Sequence, residues 1–205
     1  IDVIEDEATE DIHKMAAGNP LEGSYLEATP YAVAKSRLPW LMVLMISAAI
    51  SEYIITRNNT LIMLLPALSY FYPTLMDTAG NAGSQAAAMV IRGIVTDDLG
   101  LKDIAKVVSK EVRVAVLCGI VMFTVNLLRI LLTMRNVGIG VALITSGTIF
   151  ELIVVAKLVG GLLPLLAAAI KLDPAVMASP LIATTCDAIS LTLYFALASV
   201  FLGGM

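Results

Sequence analysis

Four carboxylates, Glu52, Asp77, Glu151 and Asp187, fall inside stretches otherwise apolar enough to lie in a membrane. Asp187 is the most informative of them, since it sits near the middle of the last apolar run. An acidic side chain there costs roughly 2.5–3.5 kcal/mol on insertion scales, so it should face water or a partner. Thr184, Asp187, Ser190 and Tyr194 recur at three- and four-residue spacing and predict one polar stripe along a helix. A second polar segment, Asp77-Thr78-Ala79-Gly80-Asn81-Ala82-Gly83-Ser84-Gln85, interrupts an earlier apolar run. Asn81 and Gln85 lie four apart, so their amides share a helix face. Gly80 and Gly83 leave room either for backbone lining a cavity or for close helix packing.

Carboxylate, amide and hydroxyl oxygens are hard donors, and together they suggest a path for a cation. Mg2+ suits such a lining: it sheds water reluctantly and is held through one or two carboxylates with several waters kept. The same chemistry leaves Mn2+, Ca2+ and Co2+ open. Cys118 and Cys186 stand alone in apolar stretches, which gives neither a disulfide framework nor a soft-metal site.

The elements that must position these groups follow from composition. Of 205 residues, 59% are hydrophobic and 15% charged, and the mean hydropathy is +0.89. A soluble domain is about half apolar and about a quarter charged, so the chain reads as an all-α membrane protein. Eight of its seventeen acidic residues fall in the first thirty positions, ahead of a body with more basic than acidic groups. No dense basic face with interleaved aromatics appears, so nucleic acid is not an expected partner.

Residues 1–17 read as an acidic amphipathic helix, with Ile1, Ile4, Ala8, Ile12 and Met15 at helical spacing, and 18–37 as a linker. A five-helix membrane domain is expected over 38–205. Its spans are placed at 38–55, about 60–91, 112–132, 139–170 and 175–202, with 97–113 as a separate amphipathic cytoplasmic helix. The fourth run should be tilted or kinked at Gly160-Gly161 and Pro164. Placing the N-terminus in the cytoplasm puts nine Lys and Arg inside and only Arg57 and Arg135 outside, the bias of a plasma-membrane protein inserted that way round. A start inside a helix suggests soluble domains upstream.

The residues then resemble a known family. Pro73 with Gly80-Asn81-Ala82-Gly83-Ser84-Gln85, Asp173-Pro174-Ala175, and Pro180 through Thr184 to Asp187 are similar to the membrane domain of the MgtE magnesium channels and transporters. The resemblance covers nearly the whole chain. It implies a homodimer in the lipid bilayer, with one pore on the two-fold axis and hydrated Mg2+ held between two copies of Asp187. Gly80, Asn81, Gly83, Ser84, Gln85, Ala183, Thr184 and Asp77 would line that pore. It also implies upstream cytoplasmic N-terminal and CBS domains, whose Mg2+-dependent closing of the pore acts through the acidic helix. Glu7, Glu10 and Asp11 would share regulatory Mg2+ with Asp173 at the pore mouth. The chain departs from the family pattern at Ser84 and Asp77, where many relatives carry Asn and Gly. No role carries over for Glu52, Glu151, Arg129 or Lys157, which read as interhelical ion pairs or snorkelling groups, and His13 reads as solvated or packed.

An enzyme is not expected. Asp77 and Asp187 could share a proton as in an aspartyl protease, but the Gly-x-Gly-Asp sequence of intramembrane proteases is absent. Within transport the alternative is a Na+- or H+-coupled divalent-cation exchanger, which inverted repeats would favour; five spans divide into no obvious pair. A bare membrane anchor has no need of a mid-membrane aspartate.

Overall fold

The computed structural model describes residues 26–97, 99–174 and 179–203, and among them every regular element is helical. Helix α1 spans Pro30–Arg57, α2 Asn59–Leu64, α3 Tyr72–Thr96, α4 Ile104–Thr133, α5 Ile139–Ala169 and α6 Ser179–Gly203. Short 3-10 turns at Pro66–Phe71 and Leu101–Asp103 precede α3 and α4. Four stretches are long and apolar enough to cross a membrane: α1, the turn at Leu101 with α4, α5, and most of α6. The acidic segment 1–17, with Glu7, Glu10, Asp11 and His13, lies outside the described residues.

Helix α1 begins at Pro30, ahead of the apolar run at Leu38, because its start is chemically marked. The Thr29 hydroxyl accepts from the Ala32 amide at 3.3 Å, and Pro30 occupies the first turn, where no amide is missed. The second apolar run is not one continuous span. It breaks at Leu65-Pro66, where proline lacks a donor and disfavours helix in the residue before it. A new helix starts at Tyr72, with Pro73 in its first turn.

The separate amphipathic helix expected over 97–113 is instead continuous with the span that follows. No proline or glycine interrupts the sequence from Ile104 to Cys118, so α4 runs without a break. Its first turn is anchored by Lys106, whose ammonium donates to Asp103 at 2.8 Å. Helix α5 likewise stays helical through Gly160-Gly161 and Pro164.

Those glycines serve packing. Helix α5 is the centre of the bundle, against α3, α4 and α6, while α1 meets the rest chiefly through α6. A Cβ on Gly160 would run into the carbonyl oxygen of Gly83. A Cβ on Gly83 would lie 2.7 Å from Ile182 Cγ2 and 2.9 Å from Cys186 Sγ. So α3, α5 and α6 meet at their closest around this pair, the small-residue packing favoured between membrane helices. Gly160→Ala is therefore expected to destabilise the protein by at least about 1–3 kcal/mol, since backbone must move. Gly147→Ala, on the same helix with nothing within 4 Å, should be neutral or stabilising by up to about 1 kcal/mol. Thermal unfolding of the two variants in detergent checks this; equal melting temperatures would contradict it.

Two polar networks lock the remaining helices. Asn126, buried on α4, donates to Ser146 on α5 at 3.0 Å and accepts from Arg129 at 2.8 Å, so Arg129 binds an amide rather than a carboxylate. Tyr194 is wholly buried, and its hydroxyl donates to the Leu68 carbonyl at 3.1 Å, next to Thr145. It thereby satisfies a carbonyl in the segment where proline broke the helix. Its ring joins Tyr72 and Phe195 at centroid distances of 6.2 and 5.9 Å.

Candidate cation site

The polar residues of α3 share one exposed face. Asp77, Asn81, Gln85 and Arg92 are all exposed and recur at four- and seven-residue intervals, whereas Ala79, Ala82, Gly83, Ala86, Ala87 and Val90 are buried on the other side. The outward faces of α1 and α4 are different in kind. Leu41, Met45 and Ile46 on α1, and Leu117, Val121, Leu128 and Leu132 on α4, are exposed and apolar. Apolar exposed faces suit lipid tails, while amides and a carboxylate require water or protein opposite them.

Helix α6 adds its aspartate to the edge of that polar face. A Cβ on Gly80 would lie 3.3 Å from Ala183 Cβ and 3.9 Å from an Asp187 carboxylate oxygen. Gly80 thus lets α6 approach until the half-buried Asp187 rests against α3. Asp77 stands three residues before Gly80 on α3, about one turn from the point where Asp187 rests. The Asp187 side chain makes no hydrogen bond or ion pair among the described residues.

The polar stripe expected along α6 divides into two parts. Ser190 and Tyr194 are fully buried and engaged, Ser190 donating to the Asp187 carbonyl at 2.8 Å. They belong to the core, because apolar residues of α3 and α5 close over that end of the helix. Thr184 is half-buried and donates to the Pro180 and Leu181 carbonyls at 3.2 and 3.1 Å. Only the part of the stripe at Thr184 and Asp187 stays accessible.

The other predicted residues fall as follows. Gly83 is buried in helix packing, Gly80 is buried beside Asp187, and Ala183 and Ser84 are half-buried. Asn81 and Gln85, with Asp77 and Thr78, open on a cleft of about 280 Å3 between α3, α4 and α5. Asp173, half-buried, follows the end of α5 and is apart from these elements in sequence. Glu52 and Glu151 are exposed. Among the described residues no three His, Cys, Asp or Glu side chains cluster to enclose an ion.

One residue has a different setting from the expected one. Among the described residues Lys157 makes no ion pair; it is buried at mid-helix and lines the cleft with Asp77 and Gln85. Its sequence position carried that signal, for it stands too far from both ends of a 31-residue helix for its stem to reach polar surface.

Comparison with known proteins supplies a family. The profile of the family described as "MgtE: Divalent cation transporter" matches residues 72–197, from the start of α3 to near the end of α6. The chain is 33% identical over 207 residues to a protein of Thermus thermophilus named "Magnesium transporter MgtE", which covers 98% of this chain. It is 30% identical over 202 residues to a protein of the same name from Bacillus subtilis, again over 98% of this chain. The chain spans 44% of the length of each of these relatives.

Proposed function

The chain belongs to the MgtE family of divalent cation transporters, and from that premise we propose that it forms a membrane pore domain conducting hydrated Mg2+. The observation that carries the proposal is the Asp187 carboxylate, unpartnered among the described residues, resting against Gly80 at the edge of the polar face of α3. A carboxylate at that depth needs water or a counter-charge. The exposed amides of Asn81 and Gln85 need the same. A water-filled path shared with a second copy provides both, with α3 and α6 of each protomer on the axis and α1 and α4 toward lipid.

The proposed ion route then pairs two Asp187 carboxylates across a hydrated divalent cation. Mg2+ holds its inner waters, so these side chains act through hydrogen bonds to that shell. Each protomer contributes negative charge from Asp187 and Asp77 and neutral acceptors from Asn81, Gln85 and Thr184. Selection against monovalent ions follows from charge: the ion's attraction to fixed carboxylates doubles with its valence. Five membrane-crossing helices per protomer complete the proposal, with α3 as the polar one shielded from lipid. Regulation by cytoplasmic Mg2+ through upstream domains, acting on Glu7, Glu10, Asp11 and Asp173, is its second half.

Reconstitution into sealed vesicles tests the reading. With a Mg2+-sensitive dye inside, the protein should admit Mg2+ down its own gradient, at a rate indifferent to imposed Na+ or pH gradients. Flux that requires one of those gradients would favour the coupled exchanger. Flux no greater than that of empty vesicles would overturn the proposal.

A further inference from the structure

Arg129 is exposed about 6 Å along α4 from the helix end at Thr133, among the exposed apolar side chains of Val125, Leu128 and Leu132. A basic side chain so placed in a membrane helix ordinarily extends its stem toward the near surface. Arg129 does the reverse. Its Nε and Nη2 donate to Asn126 Oδ1 at 3.2 and 2.8 Å, one turn back along the helix and away from that end. Asn126 is 4% exposed, and its amide nitrogen donates to the fully buried Ser146 of α5 at 3.0 Å. A buried side chain tied to two helices therefore fixes where the guanidinium stands.

The group that holds Arg129 is neutral. An amide oxygen orients the guanidinium but leaves its charge uncompensated, and its remaining N–H groups meet no acceptor among the described residues. No Asp or Glu occurs between Glu111 and Glu151, and neither of those two pairs with Arg129 among the described residues. The same stretch also carries Arg113 and Arg135, so its charge is entirely basic. An arginine drawn back toward hydrocarbon without a counter-charge is costly. On a lipid-facing surface the anion at hand is the phosphate of a phospholipid, whose oxygens match the planar guanidinium fork.

We propose that Arg129, oriented by Asn126, is a binding site for the phosphate of an anionic phospholipid whose acyl chains lie along the apolar face of α4. The lipid supplies the counter-charge that this part of the chain lacks, and Asn126 is the positioning residue. The inference needs the chain to lie in a membrane but not to conduct an ion. Its test reads lipid and not flux, so it and the proposed transport function can fail separately.

Native mass spectrometry of the purified protein, titrated in detergent with phosphatidylglycerol or with diacylglycerol of the same chains, measures the contribution of the phosphate. Wild type should bind phosphatidylglycerol at least about tenfold more tightly, the scale of one charged hydrogen-bonded contact. Arg129→Gln should bring the two lipids within about twofold of each other. Arg129→Lys should fall between, because an ammonium keeps the charge without the fork. Asn126→Asp leaves Arg129 in place but gives it a carboxylate, and should weaken phosphatidylglycerol binding about as much as Arg129→Gln does. Arg135→Gln, in the loop after α4, should leave the preference within about twofold of wild type. A preference that survives Arg129→Gln overturns the proposal, and so does an equal loss in Arg135→Gln, which would reduce the effect to net charge. Inorganic phosphate that raises the melting temperature as much as phosphatidylglycerol does, and only with Arg129 present, would make this a site for a free anion and overturn it too.

Discussion

Replacing Asp187 by Asn is expected to cut divalent-cation flux by on the order of 100-fold, while the protein folds and melts as before. The size follows from charge at short range. A unit charge and a divalent ion separated by about one water layer, at an effective dielectric constant near 20, attract by several kcal/mol. The substitution removes that attraction in both copies at once. Stability should hold because the shape is kept and the carboxylate has no hydrogen bond or ion pair among the described residues to lose. Vesicle uptake and a thermal melt, measured on one preparation, separate the two effects. Asp187→Glu, which keeps charge but lengthens the side chain beside Gly80, should retain part of the flux.

The double variant Asn81→Leu/Gln85→Leu is the second case with a large expected effect. Both residues are exposed on α3, so the fold loses no buried contact, and surface changes of this kind fall within about 0.5 kcal/mol. Flux should nonetheless fall about tenfold or more, because two water-binding amides per protomer become apolar along the ion route. If these residues instead faced lipid, the leucines would be neutral or stabilising, and flux would not change. Uptake measured beside melting temperature distinguishes the two. An unchanged rate would move the route away from this face of α3.

Much of this arrangement is legible in the residues themselves. The apolar runs, the amide pair at Asn81 and Gln85, and the anomaly of Asp187 all follow from period and burial cost. The break at Leu65-Pro66 has a local cause too, the proline, which hydropathy alone passes over. Two other features depended on partners that no local pattern specifies. Ser190 and Tyr194 share a periodic stripe with Asp187, yet α3, α5 and the Leu68 carbonyl claim them for the core. Gly160 read as a flexing point because its use, contact with the Gly83 backbone, is set by a helix far away in sequence.

The central claim is that a divalent cation sits between two Asp187 carboxylates. Diffraction from crystals soaked in Mn2+, with data collected for its anomalous signal, tests it most directly. The account predicts a peak on a two-fold axis, flanked by Asp187 from both copies at water-mediated distance and absent in Asp187→Asn crystals. A structure in which Asp187 faces lipid, or in which the Mn2+ peak persists without its carboxylate, would contradict it.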